Sequence, residues 1–505
     1  MYGVGAIGLF VLEYFLIGLW TDRLHRKRVF QFFEKKWIVG MFAFVPTFIA
    51  SMVYAYGDLY DIPQIKRVNH VVPLHQPNGA IKHGFEKAFG YLPTPKRQSM
   101  RGKGSSQLVY PKQTLNFENP PEKPFNIIYM VVDCLRREAF TPEIMPNIYK
   151  IAQERGQIFT NHHAGGNATR NGMFSLLYGL YSSYWNSFLT ENRSPALFDR
   201  LIDSNYTFGI FSSEPLTFPE FRKTAFSRLN DFVHDEFPRE NRATWERDLD
   251  VVKATADYLA APKDQPFFSM IFLDSAHSGY SFPGDMTPFK PFLTSYNYST
   301  LTDDQKKVDL KHSYQNAVYF LDHHLGKILN DMQARGQLEN TIVVITGDHG
   351  QEFMEYGHTG HSGAFTRQQT MSPLILLWPD RPAKTYNHVT AHYDLTPTLM
   401  EYLGVTNPPS DYSMGHNLFD EDSHEYSFSC NWNQCAILDD QGWIIFGTRG
   451  NTALLEFRNN EYEIIRQADA MSPERTRHMT DALNEMGDFA NKTRSLRSHG
   501  FRQCP

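Results

Sequence analysis

Residues 341–363 read TIVVITGDHGQEFMEYGHTGHSG, and an apolar, β-branched run, Thr341–Thr346, breaks off there into Gly347, Asp348, His349 and Gly350. A carboxylate beside an imidazole offers one oxygen and one nitrogen donor, a pairing that suits zinc or another divalent ion. His358 and His361 follow in a glycine-flanked loop. The pattern occurs elsewhere. Asn126–Val132, NIIYMVV, ends on the carboxylate of Asp133, and Pro266–Asp274, PFFSMIFLD, leads within three residues to His277. In GGNATRNGMFSLLYGL, Met173, Phe174, Leu177 and Tyr181 recur with helical spacing. Asn167 and Thr169 are natural N-cap residues, so the Thr169 hydroxyl is expected at a helix amino terminus, where N–H groups and the helix dipole stabilise an anion.

Taken singly, a polar turn after a strand or a capped helix needs no chemistry. Their recurrence at three strand ends reverses that judgement. Asp133, Thr169, Asp348 and His349 would make a four-ligand site for zinc, manganese or magnesium, with calcium a further candidate. A metal-bound threonine hydroxyl loses its proton more readily and becomes a nucleophile. Arg170 could clamp the non-bridging oxygens of a phosphoryl group through its forked guanidinium. His277 and His361 could hold the same group or protonate the leaving oxygen. The chemistry that follows is phosphoryl-type transfer through a covalent enzyme–threonine intermediate, then release to water or another acceptor.

Strands buried on both faces imply a mostly parallel sheet covered by helices, with ligands beyond the carboxyl ends of the strands. Thr207–Ser213 and Pro373–Pro379 read as further strands, and residues 146–154 as a helix. Residues 309–336 form a long amphipathic helix with Tyr314, Val318, Leu321, Leu325, Ile328 and Met332 on one face; His323 and His324 lie on it as surface residues. HYDLTPTLMEYLG starts another helix, with His392 and Asp394 in structural roles. From about Ser427, CAILDDQGWIIFG and ALLEFRNNEYEIIR read as hairpins. The expected architecture is an α/β/α sandwich over 124–425, followed by a small antiparallel subdomain and tail over 426–505.

Upstream, residues 1–20 and Trp37–Tyr56 are each apolar and long enough to cross a bilayer, and TDRLHRKR with Lys35 and Lys36 lies between them. The positive-inside rule then puts the basic loop of segment 1–56 in the cytoplasm and everything after Tyr56 outside it. The chain opens almost inside a span, so further helices are expected before it. Residues 57–123 read as a juxtamembrane linker whose basic middle, including Lys82 and His83, could meet anionic lipid headgroups. A net charge of -6 argues against a nucleic-acid partner. The four cysteines are too few for a disulfide scaffold; Cys430 and Cys435 could pair in an oxidising compartment or stay reduced.

VVDCLR, GNATRNG and GDHG with a trailing histidine resemble the alkaline phosphatase/sulfatase superfamily. Within it the chain looks like the membrane-anchored sulfatase-like branch, which includes phosphoethanolamine transferases and lipoteichoic acid synthases, and is most similar to inner-membrane proteins of the YejM (PbgA) type. The match includes VLEYFLIGLW and the MGHNLF segment near Gly415. The resemblance implies metal ligation by Asp133, Thr169, Asp348 and His349, with Thr169 also the nucleophile. It favours His361 over His358 as the trailing histidine. It also implies an inner-membrane protein with a periplasmic domain that meets phospholipid or lipopolysaccharide, with a protein partner reached through the membrane helices. Sulfatases carry C-x-P-S-R where this chain has Ala168-Thr169-Arg170, which disfavours sulfate-ester hydrolysis. Some YejM-type relatives lack the Asp-His pair and regulate without catalysis, so a non-catalytic regulator or lipid binder with a relic domain is the alternative. The family's lipid A contact pair corresponds at best to Lys82 and His83.

Overall fold

A computed structural model describes residues 108–295, 303–421, 424–448 and 455–490. The expected membrane spans, the basic loop, Lys82, His83 and Cys504 lie outside the described residues. Among those described, no helix is long and apolar enough to cross a membrane.

The central sheet has eight strands. In chain order they are β1 (Asn126–Val132), β2 (Gln157–Phe159), β3 (Thr207–Ser212), β4 (Val233–His234), β5 (Phe267–Leu273), β6 (Thr341–Gly347), β7 (Leu374–Leu377) and β8 (Lys384–Tyr386). Their spatial order is β8-β2-β7-β6-β1-β5-β3-β4. β7 runs against both neighbours, and every other pairing is parallel. β5 and β6 are buried along their whole length, and β1 after its first residue, which is why they read as unbroken apolar runs.

Side chains alternate across the sheet and feed two cores. Ile127, Tyr129 and Val131 of β1 face helices α2 (Thr169–Tyr178), α3 (Ala196–Asp203) and α6 (Leu395–Tyr402). Ile128, Met130 and Val132 face α1 (Pro146–Arg155), α4 (Thr244–Ala260) and α5 (Asp304–Ala334). The result is the expected three-layer sandwich. α5 starts earlier than its apolar stripe suggests, because the Asp303 side chain caps it by accepting from Gln305 N at 2.9 Å. A second, five-stranded antiparallel sheet covers Ser427–Ile465, and the chain continues into α7 (Pro473–Glu485). Cys430 and Cys435 face each other across its first hairpin and are joined in a disulfide.

Candidate metal centre

Register brings the carboxylates together. Val132 is level with Gly347 on one side and Leu273 on the other, so the next residue of each strand, Asp133, Asp348 and Asp274, lies on one edge of the sheet. α2 enters the same edge from the opposite layer. Its N-cap is Ala168, in extended backbone, and Thr169 is its first helical residue. This corrects the expected cap: the Asn167 side chain donates to the Ala364 carbonyl instead. Gly172, one turn along, packs so closely that a Cβ there would sit 1.9 Å from the Asp348 carbonyl oxygen. That contact sets Thr169 over the strand ends.

Asp348 Oδ1 accepts from Cys134 N at 3.0 Å and from His349 N at 2.8 Å, which fixes the carboxylate. Its Oδ2 is buried without a hydrogen bond, 3.4 Å from His349 Nε2. His349 Nδ1 lies 2.9 Å from the Gly350 carbonyl, so it carries the proton and leaves the Nε2 lone pair facing inward, buried and unpartnered. Asp133 Oδ1 is likewise unpartnered, 3.9 Å from His349 Nε2, while its Oδ2 accepts from the Thr169 hydroxyl at 3.4 Å. Two nitrogen or oxygen donors of one tetrahedral zinc, each about 2.0–2.2 Å from it, stand roughly 3.4 Å apart. The spacings match. Three inward-facing buried donor atoms without partners are what a cation would satisfy, since such atoms are otherwise costly.

Burial raises Asp348 well above the usual carboxylate range, and the Asp133 charge raises it further. Burial also opposes ionisation of Asp133, but His277, His349 and His361 outweigh it and hold that carboxyl below its ordinary value. The dyad thus favours one negative charge, and a bound dication would let both carboxylates ionise. Burial pushes His349 down, against the raising pull of Asp133. His361 is pushed down to about 3 by burial and then by His349.

A cleft of about 510 Å³ opens on these groups, lined by Asp133, Thr169, Arg170, His277, His361 and Trp432 among others. The Arg170 guanidinium lies 3.9 Å from the Trp432 ring and 5.0 Å from that of Trp185, and it pairs with Glu220 at 3.5 Å. The His361 ring is tilted against that of His349, with centroids 4.4 Å apart, and against that of His277 at 5.3 Å. The structure therefore gathers Asp133, Thr169, Arg170, His277, Asp348, His349 and His361; His358 is not among the cleft or ligand groups. Sequence reasoning left out Asp274, Cys134 and Trp432. Asp274 ends an apolar run just as Asp133 does, so its signal was present. Trp432 carried none, because it reaches Arg170 from the other sheet.

A sequence model of the sulfatase family matches residues 125–405. The chain belongs to the sulfatase family. This sulfatase-family chain is 29% identical over 417 residues to an uncharacterized protein of Haemophilus influenzae, covering 81% of this chain and 63% of the relative. It is 27% identical over 424 residues to the inner membrane protein YejM of Salmonella typhimurium, covering 81% and 64% respectively. The chain thus spans less than two thirds of the length of these relatives. Among solved structures, a protein in the alkaline phosphatase superfamily from Vibrio parahaemolyticus superposes with a TM-score of 0.54 at 15% identity, covering 77% of this chain and 90% of that one. The C-terminal periplasmic domain of EptC from Escherichia coli, in complex with Zn, gives 0.51 at 16%, covering 67% and 97%. Both share the α/β sandwich.

Proposed function

We propose that this chain is a metal-dependent hydrolase or transferase of phosphoesters, including phospholipid headgroups, that works through Thr169. The observation that carries it is the Thr169 hydroxyl at the start of α2, 3.4 Å from a carboxylate whose other oxygen is buried and unpartnered. Asp133, Thr169, Asp348 and His349 would hold a divalent ion, and zinc in the EptC domain supports that choice of metal. Such an ion stabilises an ionised hydroxyl and the charge on phosphoryl oxygens. Thr169 Oγ1 gives its proton to water in the cleft and attacks phosphorus; the new bond to Oγ1 forms as the ester P–O bond breaks. The leaving oxygen is protonated from the cleft, by water or by His277. Water, or an acceptor hydroxyl in a transferase, then attacks the phosphothreonine, regenerates Thr169 and carries the phosphoryl group away. Arg170, stacked on Trp432 at the cleft wall, orients the non-bridging oxygens. The helix amino terminus adds positive potential where charge collects.

The likeness to YejM and the apolar segments 1–20 and Trp37–Tyr56 support an inner-membrane protein with its domain in the periplasm. The Cys430–Cys435 disulfide supports an oxidising compartment. Phospholipid or lipopolysaccharide is the partner this placement favours. Phosphatase assays on the full chain test the mechanism: Thr169→Ala and Asp348→Ala should each abolish turnover and phosphothreonine formation. Equal activity in all three proteins refutes it, and inactivity of the parent on every phosphoester tried favours a regulator with a relic domain.

A further inference from the structure

The MGHNLF segment near Gly415 has no part in that arrangement, yet it helps to wall a second cavity, of about 360 Å³, that shares no lining residue with the cleft. Three parts of the chain line it: Tyr181 just beyond α2, Met414 and His416 with His424, and Asp481 and Glu485 of α7. Gly415 lets this wall form. A Cβ there would stand 2.1 Å from the Tyr393 carbonyl oxygen; without one, His416 N reaches Asp394 Oδ1 at 2.9 Å. The same oxygen holds His424 Nε2 at 2.7 Å, and the His416 and His424 rings lie 4.7 Å apart. The His424 side chain is only 10% exposed, and its other nitrogen, Nδ1, has no partner among the described residues. Burial works against a charge on this ring, but Asp394 outweighs it and holds His424 above its ordinary value. The acidic wall is fixed as well. Glu485 Oε2 accepts from the Tyr181 hydroxyl at 2.6 Å and from the Tyr426 hydroxyl at 3.3 Å, and Glu485 forms no ion pair among the described residues. Asp481 lies one turn before it on α7; Arg477 is 3.8 Å from Asp481 but only 2.6 Å from Glu425.

We propose that this cavity binds a small zwitterion, an amino-acid-like molecule whose ammonium group meets Glu485 and Asp481 and whose carboxylate takes the His424 Nδ1–H. A patch of surface acids alone would call for no ligand. Here a buried imidazole with a spare N–H and a carboxylate without a counter-ion line one volume, and that volume lies within the roughly 300–1,000 Å³ of small-molecule sites. A lone ammonium would leave the His424 donor unanswered, and a lone carboxylate would face Glu485 and Asp481. Only a ligand carrying both charges satisfies both walls, and charge-assisted hydrogen bonds at each end would orient it. The donors are too spread for a metal ion, since among the described residues no three of them come within 4.8 Å of one another. The site lies beyond the carboxyl end of α2, whose amino end carries Thr169, and it does not depend on the chemistry proposed there.

The test is isothermal titration calorimetry of the full chain with L-alanine and 4-aminobutyrate, zwitterions of short and long charge spacing, and with butylamine and butyrate, which each keep one charged end. We expect one of the zwitterions to bind at least tenfold more tightly than either single-charge probe. Asp481→Asn, at a side chain 45% exposed whose change leaves the core intact, should weaken that binding at least tenfold, and Glu485→Gln should do the same. Thr169→Ala should bind as the parent does, which separates this cavity from the cleft. Butylamine binding as tightly as the better zwitterion, no binding of either zwitterion, or binding that survives both substitutions overturns the proposal.

Discussion

Gly172→Ala tests how the candidate site is built without replacing any proposed ligand. The added methyl would lie 1.9 Å from the Asp348 carbonyl oxygen and 2.7 Å from its carbonyl carbon. Both are backbone atoms next to β6 and cannot swing aside, and ordinary contact begins at 3.4 Å. The start of α2 must therefore retreat by about 1–1.5 Å, the shortfall against normal van der Waals separation. Thr169, one turn upstream, moves with it and away from the Asp133–Asp348 pair. A displacement of about 1 Å can cost on the order of 100-fold in rate. Overpacking costs about 1–3 kcal/mol, and replacing a helical glycine by alanine returns about 1 kcal/mol. The variant should thus stay folded, with a net loss of roughly 0–2 kcal/mol, while kcat falls about 100-fold and zinc affinity falls with it. Zinc calorimetry, phosphatase assay and a thermal melt on the same preparation decide the matter. A folded variant whose zinc affinity and kcat both stay within threefold of the parent would refute this account of how Thr169 is placed.

Arg170→Lys should raise KM for phosphoesters about tenfold, because a point charge loses both the forked contact and the stack on Trp432; steady-state kinetics reads it. Asp322 on α5 caps α1 across the core, accepting from Asn147 N at 3.0 Å and Ile148 N at 2.9 Å. Asp322→Ala should cost about 1–3 kcal/mol in denaturant unfolding with no change in metal binding. Burial pushes His392 down to about 4, so its ring is neutral when folded and takes up a proton on unfolding below its ordinary value of about 6.5. Stability should therefore fall as pH drops from about 6.5 toward 4, on the order of 3 kcal/mol from this group; His392→Gln should flatten that slope in urea melts run across the range. Reducing the Cys430–Cys435 disulfide should cost about 2 kcal/mol by loop entropy and loosen Trp432 from Arg170, read as a change in tryptophan fluorescence.

Much of the framework was legible because buried parallel strands are uniformly apolar and stop abruptly. Asp133 and Asp348 stood out as the first charges after Val132 and Gly347. What sequence could not show was adjacency in space. Nothing in PLILLWP tells that β7 runs antiparallel, since a strand buried on both faces looks the same either way. The start of α2 was placed on Asn167 or Thr169 by residue preference, whereas the Ala364 carbonyl captures the Asn167 side chain and leaves Ala168 as the cap. Cys134 entered the sequence reading only as one of four cysteines; the fold brings the His361 ring within 3.5 Å of its sulfur.

The register of the three middle strands has a bearing on how the protein matures. Asp133 and Asp348 come within reach of one ion only once β1 has zipped against β6 in its final alignment, joining segments more than two hundred residues apart. A slip by a single position would carry Asp133 about 3.3 Å along the sheet and turn it to the other face. On the proposed metal-bound reading, an incoming ion would find its seat only in chains that have already aligned correctly, and would serve as a latch on the finished sheet rather than a template for it.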